Sequence, residues 1–338
     1  MVNFCHWLMK VGTIVARGKD IKQENRVKVR KCFYDGDILT KNMIIGETGF
    51  SNGAVTNILK EFIDEGEILL LGEAESTGGR KSKQYNLNRD HIHLLNVIIK
   101  RATTTNEIAL TIVDLKGKPI ESRTYYAPVS LREKIMGSIG EAVKQDPLIK
   151  IVSISIPGVA HRGVITICDC EPLIHWPIEE AIRRSLHLEV RVENDVNAAC
   201  VGFYQGHQDS LAVAFLYQPM VKYVGCGMVL NHRLFKGANS FAGELSYLPF
   251  VDPSNQDKLL EADPQGLLKT QLVSLCCVVN PDVVGVCSDN FECLPDWDLQ
   301  ECLPKTHVPK LVWVGDFYGL VSRGLYATAR DYLVYNEN

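Results

Sequence analysis

Apolar positions recur with two different periods along this chain of 338 residues, and the change of period divides it in two. In S-N-G-A-V-T-N-I-L-K-E-F-I-D-E-G, the residues Ala54, Val55, Ile58, Leu59, Phe62 and Ile63 fall on one helical stripe. Ser51 suits the N-cap, Phe50 can staple onto Val55, and Gly66 ends the run. Ahead of it, the pattern predicts a helix over Ile21–Tyr34 capped by Asp20, and a short one over Thr40–Gly46 closed by the turn Glu47-Thr48-Gly49. Behind it, Ile68–Leu71 and Gln84–Leu87 read as strands. From residue 89 onward the period shortens. Strands are expected at Leu94–Ile99, Ile108–Leu115, Ile120–Tyr126, Ile149–Ile156, Gly163–Ile165, Val190–Val192 and Leu211–Tyr217. A hairpin follows at Gly225–Leu230 and Arg233–Phe235, then strands at Val283–Cys287 and Lys310–Gly315. Helices are expected at Leu131–Lys144, Ile178–Leu186, from about Asn197, at Leu267–Val279 and at Phe317–Tyr335. Strands alternating with helices make the body α/β.

Two helices, a third with a polar outer face, and two strands joined by a basic loop have the layout of a winged helix-turn-helix. Opposite the apolar stripe, Ser51, Asn52, Gly53, Thr56, Asn57 and Lys60 offer small, amide and cationic side chains suited to base edges and phosphates. The loop E-S-T-G-G-R-K-S-K-Q adds Arg80, Lys81 and Lys83, and Arg80 suits a narrow minor groove. The first helix carries Lys22, Arg26, Lys28, Arg30 and Lys31. The plain alternative is a small helical cap with a solvated basic loop. The expected domains are residues 1–88 and a body of 89–338, with lobes of about 89–200 and 201–316 and a closing helix over 317–335.

Composition narrows this little further. With 46% hydrophobic and 22% charged residues the chain folds, and its length allows two or three domains. No apolar run approaches the roughly 20 residues of a membrane span, and the start has no basic leader, so the expected location is the cytoplasm. Eleven scattered cysteines form no C-x-x-C pair, which argues against a disulfide framework and against a metal site. The net charge of −4 is uneven, since the first 90 residues carry 14 basic against 12 acidic side chains.

The candidate chemistry lies between Val190 and Tyr247. Asn194 and Asp195 end a strand, where α/β sheets present ligand-binding groups, and a loop after the hairpin delivers Glu244. Two carboxylates and a carboxamide suit a polyhydroxylated ligand. The bland reading is a strand-turn-helix with a capping Asp.

The segments E-N-D-V-N-A-A and G-A-N-S-F-A-G-E-L resemble signatures of the ROK family (repressors, open reading frames, sugar kinases). That resemblance implies an actin-like, ribonuclease-H-type body closed around a sugar, with Asn194, Asp195 and Glu244 as sugar contacts and Asp195 at the catalytic-base position. By the same resemblance Gly158, in Pro157-Gly158-Val159, lies beside the sugar, and Tyr247 stands where many members have a histidine. S-T-G-G-R resembles the joint between DNA-binding and sugar-binding parts of ROK repressors. The departures are as informative. The Asp-x-Gly-x-Thr loop of ROK kinases is replaced by V-I-I-K-R-A-T-T-T-N-E, with Lys100 and Arg101 where an acid is expected. In P-M-V-K-Y-V-G-C-G, Val221, Lys222 and Tyr223 replace the second phosphate loop. The family's zinc cysteines are missing, and the stretch from Glu244 to Asn280 is short. The expectation is therefore a homodimeric DNA-binding regulator, a repressor of carbohydrate genes. It would bind double-stranded operator DNA and respond to a sugar or sugar phosphate, without cofactor, metal or catalysis. The alternatives are an ATP-dependent sugar kinase with Asp195 as general base, and a DNA-binding protein whose pocket has decayed.

Overall fold

Helix α1 (Gly18–Asp35), strand β1 (Ile38–Thr40), helices α2 (Lys41–Thr48) and α3 (Asn52–Asp64), and strands β2 (Ile68–Glu73) and β3 (Lys83–Leu87) open the chain. The computed structural model describes residues 18–73, 82–101, 105–127, 130–221, 224–249 and 256–335. Local chemistry explains the helix ends. Thr40 Oγ1 caps α2 at Met43 N, and Gly49, at φ +70°, ends it by donating to the Ile45 carbonyl. Ser51 Oγ caps α3 at Ala54 N. The α3 stripe is buried at Val55, Ile58, Leu59 and Phe62, while Ala54 and Ile63 are half-buried. Strand β1, too short to show a period, pairs with β3 and completes a sheet of order β1-β3-β2.

Of the basic face expected on α1, Arg26 and Arg30 are buried, while Lys22, Lys28 and Lys31 are exposed. Arg26 reaches Glu61 and Glu65, each at 2.7 Å, and Lys22 reaches Glu61 at 2.7 Å. Arg30 makes a forked pair with Glu67 at 2.6 and 2.9 Å. Both arginines also lie over the Phe62 ring, at 4.6 and 4.9 Å. These cations bind α1 to α3 and to the turn behind it, so at least three members of that face hold the fold together.

The body contains β4 (His93–Arg101), β5 (Asn106–Val113), β6 (Pro119–Ala127), α4 (Leu131–Gln145), β7 (Ile149–Ile156), β8 (Gly158–His161), β9 (Val164–Cys168), α5 (Ile178–Leu186), β10 (Glu189–Asn194) and α6 (Asp195–Tyr204). It continues with β11 (Ala212–Gln218), β12 (Gly225–Leu230), β13 (Arg233–Leu234), α7 (Gln256–Ala262), α8 (Pro264–Val279), β14 (Val283–Ser288), β15 (Lys310–Trp313) and α9 (Phe317–Tyr335). Two five-stranded sheets result, ordered β10-β7-β4-β5-β6 and β13-β12-β11-β14-β15. Each has three antiparallel strands in sequence, to whose first member two parallel strands are added, so the second sheet repeats the plan of the first.

Three apolar cores follow from this plan. Residues of α4 and α5 pack with Val97, Val152 and Ile154 of the first sheet, and residues of α8 with Leu216, Val284 and Val286 of the second. The third core unites α6 and α9 with Ile98, Val213, Phe215 and Val229 from both sheets. There the two helices touch backbone to backbone: a Cβ on Gly324 would stand 1.8 Å from the Ala198 carbonyl oxygen. That contact accounts for the glycine that opens G-L-Y-A-T-A-R. The chain divides into two compact units, Met1–His91 with Leu333–Asn338, and Ile92–Tyr332. Among the described residues no helix is long and apolar enough to cross a membrane.

Candidate functional site

Strand β10 ends at Asn194 and α6 begins at Asp195, two residues earlier than the sequence pattern suggested. The reason is a cap. Asn194 Oδ1 accepts from Asn197 N at 2.9 Å, while its Nδ2 donates to the Gly158 carbonyl at 2.9 Å. Asn194 therefore ties the start of α6 to the start of β8, which fixes Gly158 in the same corner. Asp195 Oδ1 accepts from Val196 N at 2.8 Å. Burial pushes the Asp195 carboxyl up to about 7, against the Val196 hydrogen bond, and the charges of Asp169 and Glu244 push the same way.

Glu244 arrives on the loop after β13. Gly243 before it has φ +97° and its carbonyl accepts from Cys226 N at 3.0 Å. A Cβ there would lie 1.8 Å from the Cys226 carbonyl oxygen, so only glycine lets this loop lie against β12. Burial raises the Glu244 carboxyl, and Asp169 adds to the effect. Tyr247 is 51% exposed, with its ring centroid 5.2 Å from that of Phe241.

Sequence reasoning missed two features. Lys236 Nζ lies 2.5 Å from Glu193 Oε2, so the residue before G-A-N is bonded to the first residue of E-N-D. Glu193 Oε1 also accepts from Asn194 N at 3.0 Å and from Asn197 Nδ2 at 3.1 Å. The two signature segments are thus joined by one network, and the opposite charges at their outer ends were the available signal. The second feature is Asp169, between β9 and α5, whose charge acts on both Asp195 and Glu244. Its carbonyl accepts from Arg101 Nη1 at 2.6 Å.

Where the kinase loops would lie, side chains satisfy one another. Lys100 Nζ is 2.8 Å from Glu107 Oε1 and 4.1 Å from the centre of the Tyr318 ring. Tyr217 donates to Asp289 Oδ2 at 2.8 Å and stacks on Phe317 at 3.8 Å. Val221 is exposed, Lys222 and Tyr223 lie outside the described residues, and Thr105 Oγ1 is buried without a hydrogen-bond partner. A cavity of about 400 Å³ at the ends of β14 and β15 is lined by Ser288, Asp289, Asn290, Phe291, Glu292, Trp313 and Gly315, and by neither Asp195 nor Glu244. Among the described residues, no three His, Cys, Asp or Glu side chains are grouped to hold a metal ion.

In the first unit, Ser51, Asn52, Gly53, Thr56, Asn57 and Lys60 are all exposed along the outer face of α3. Thr56 Oγ1 bonds the Asn52 carbonyl at 2.7 Å and lies 3.4 Å from Lys41 Nζ. Lys83 is exposed at the start of β3. Arg80 and Lys81 lie outside the described residues.

Comparison with known proteins gives likenesses in sequence and in fold. The ROK family profile matches residues 104–263. The xylose repressor of Caldicellulosiruptor bescii is 24% identical over 241 residues, which cover 67% of this chain and 59% of that protein. The chain thus aligns with less than two thirds of the length of such curated relatives. A crystal structure of a ROK family transcriptional regulator, a homolog of the E. coli MLC protein, superposes with a TM-score of 0.71 at 16% identity, covering 93% of this chain and 99% of that one. The ROK hexokinase of Thermus thermophilus superposes with a TM-score of 0.51 at 18% identity, over 70% of this chain and 98% of its own. Regulators and kinases share the fold, an actin-like two-sheet body, and the regulator likeness extends over the N-terminal helices. This chain is thus similar to the ROK family over residues 104–263, just under half of its length, and shares the fold of ROK regulators and kinases.

Proposed function

We propose that the chain is a sequence-specific DNA-binding transcription regulator, a repressor of carbohydrate genes, whose non-catalytic ROK body senses a sugar. The observation that carries this reading is the outer face of α3. Asn52, Thr56, Asn57 and Lys60 are exposed along one side of a helix whose other side is anchored through Val55, Ile58, Leu59 and Phe62. Amide and hydroxyl groups on a rigid helix suit base edges in the major groove, and Lys60 suits a phosphate. Arg80, Lys81 and Lys83 are proposed as further DNA contacts. Asn194, Asp195 and Glu244, with Gly158 and Tyr247 beside them, form the proposed effector site. The ligand shifts DNA affinity by binding one arrangement of the body more tightly than another. A homodimer on a palindrome suits the symmetry of helix-turn-helix recognition, and the proposed location is the cytoplasm.

One observation favours a kinase: a carboxyl held near neutrality, as Asp195 is, suits a general base. Against it, Lys100 is engaged by Glu107 and Tyr318 where an acidic loop would serve phosphoryl transfer. Both readings meet one experiment. Fragments of genomic DNA are selected by the full chain, and the selected site is footprinted while sugars are titrated. A protected palindrome released by one sugar is expected. Absence of specific protection at moderate salt, together with ATP-dependent phosphorylation of a sugar, would overturn the regulator in favour of the kinase.

A further inference from the structure

We infer that α3 reads a thymine by its 5-methyl group, which it receives in an apolar notch between Gly53 and the methyl of Thr56. This rests on the DNA-binding reading above and names one base of the site.

A threonine on an exposed helix face can offer a base either its hydroxyl or its methyl group. Here the hydroxyl is engaged within the protein. Its single proton goes to the Asn52 carbonyl at 2.7 Å, one turn back along α3, and Asn52 Oδ1 lies 3.3 Å from the same oxygen. Lys41 Nζ, from the first residue of α2, donates to that oxygen at 3.4 Å. With its proton engaged, Thr56 cannot donate to the acceptors that guanine, adenine and thymine carry in the major groove. Its methyl group has no such commitment, and the residue is exposed.

Gly53 is a second, independent sign. It lies three residues before Thr56 in α3, hence on the same face. Its backbone is helical, and a Cβ there would meet nothing within 4 Å. Neither a turn nor a packed neighbour calls for glycine at this position, although glycine weakens a helix relative to alanine. A bare backbone here serves the close approach of an outside partner. Beside it the Thr56 methyl forms an apolar step, and the apolar group that a base edge presents in the major groove is the thymine 5-methyl. Val55, Ile58, Leu59 and Phe62 anchor the opposite side of the helix, which holds this step in place.

The test uses the full chain and the duplex that it selects from genomic DNA. Each thymine of that duplex is replaced in turn by deoxyuridine, which removes only the 5-methyl group, and affinity is read by fluorescence anisotropy. At one thymine, or at a symmetric pair, binding is expected to weaken about four-fold per site, the scale of one buried methyl group. Thr56→Ser, which keeps the hydroxyl, is expected to lose the same factor on the unmodified duplex and to be indifferent to that replacement. Thr56→Val, which keeps a methyl, is expected to retain the preference for thymine. Gly53→Ala is expected to weaken binding about ten-fold, as a methyl forced into a filled contact does, while its urea midpoint stays at or above that of the wild type. Replacement that is neutral at every thymine overturns the inference. So does binding lost in Thr56→Val but kept in Thr56→Ser, since the hydroxyl would then be the reader. Unchanged affinity of Gly53→Ala overturns the notch. Failure of the chain to select any duplex, with circular dichroism showing it folded, overturns the DNA-binding reading itself, and the inference with it.

Discussion

Replacing Asp195 with Asn tests the electrostatics of the cleft without moving atoms. Asn keeps an oxygen to accept from Val196 N, the bond that Asp195 makes at 2.8 Å, and removes only the negative charge. In the folded chain burial and the acids Asp169 and Glu244 hold the Asp195 carboxyl at about 7, against 3.8 for the free side chain. The folded state therefore binds this proton more tightly than the unfolded state. The sign follows: stability contributed by the protonated carboxyl is fully present below the free value and is lost as pH rises through about 7. A difference of about three pH units corresponds to roughly 4 kcal/mol, an upper bound because cleft water relaxes part of the strain. Asp195→Asn is thus expected to stabilise the body by up to about 4 kcal/mol at pH 8, and by under about 2 kcal/mol at pH 5, where the wild-type carboxyl is already protonated. Urea unfolding of both proteins at the two pH values, followed by circular dichroism, measures the difference directly. A variant less stable than wild type at pH 8, or a gain independent of pH, would refute the reasoning, since only a charge destabilised by its surroundings produces that pattern.

Three further outcomes are expected. Gly243→Ala costs about 3 kcal/mol or more in urea unfolding, because the backbone is left-handed and the new methyl meets the Cys226 carbonyl. Glu67→Ala leaves Arg30 buried without its forked partner and destabilises the first unit by about 3–5 kcal/mol, seen as faster hydrogen exchange in α1 and α3. Lys60→Ala weakens DNA binding about equally on all sequences and lowers the salt slope by about one, whereas Asn57→Ala costs about 1–3 kcal/mol on the preferred site and relaxes its sequence; anisotropy titrations at several salt concentrations separate the two.

The chain's own pattern determined a good deal. The stripe from Val55 to Phe62 and the cap at Ser51 announce α3, and Ile178–Leu186 forms a helix over the span its periodicity marks. These features are legible because a helix or strand is set by interactions among residues a few positions apart, which the order of side chains displays directly. The two segments of the proposed effector site are legible because E-N-D-V-N-A-A and G-A-N-S-F-A-G-E-L are long and uninterrupted. What their neighbours do was not legible. A row of cations on α1 looks the same in sequence whether it faces phosphates or, as for Lys22, Arg26 and Arg30, the acids Glu61, Glu65 and Glu67. Lys100 stands in the sequence where an acid is expected, and only in space do Glu107 and Tyr318 close on it. The bond from Lys236 to Glu193 and the mutual repulsion of Asp169, Asp195 and Glu244 depend on distance through space between residues far apart in the chain. The sequence alone marked most of the helices and strands, though not β1, β8 or α7, and nominated the candidate ligands. Tertiary structure alone decided which charges are left for a ligand, because Coulomb energy and desolvation depend on how the sheets and loops bring those charges together.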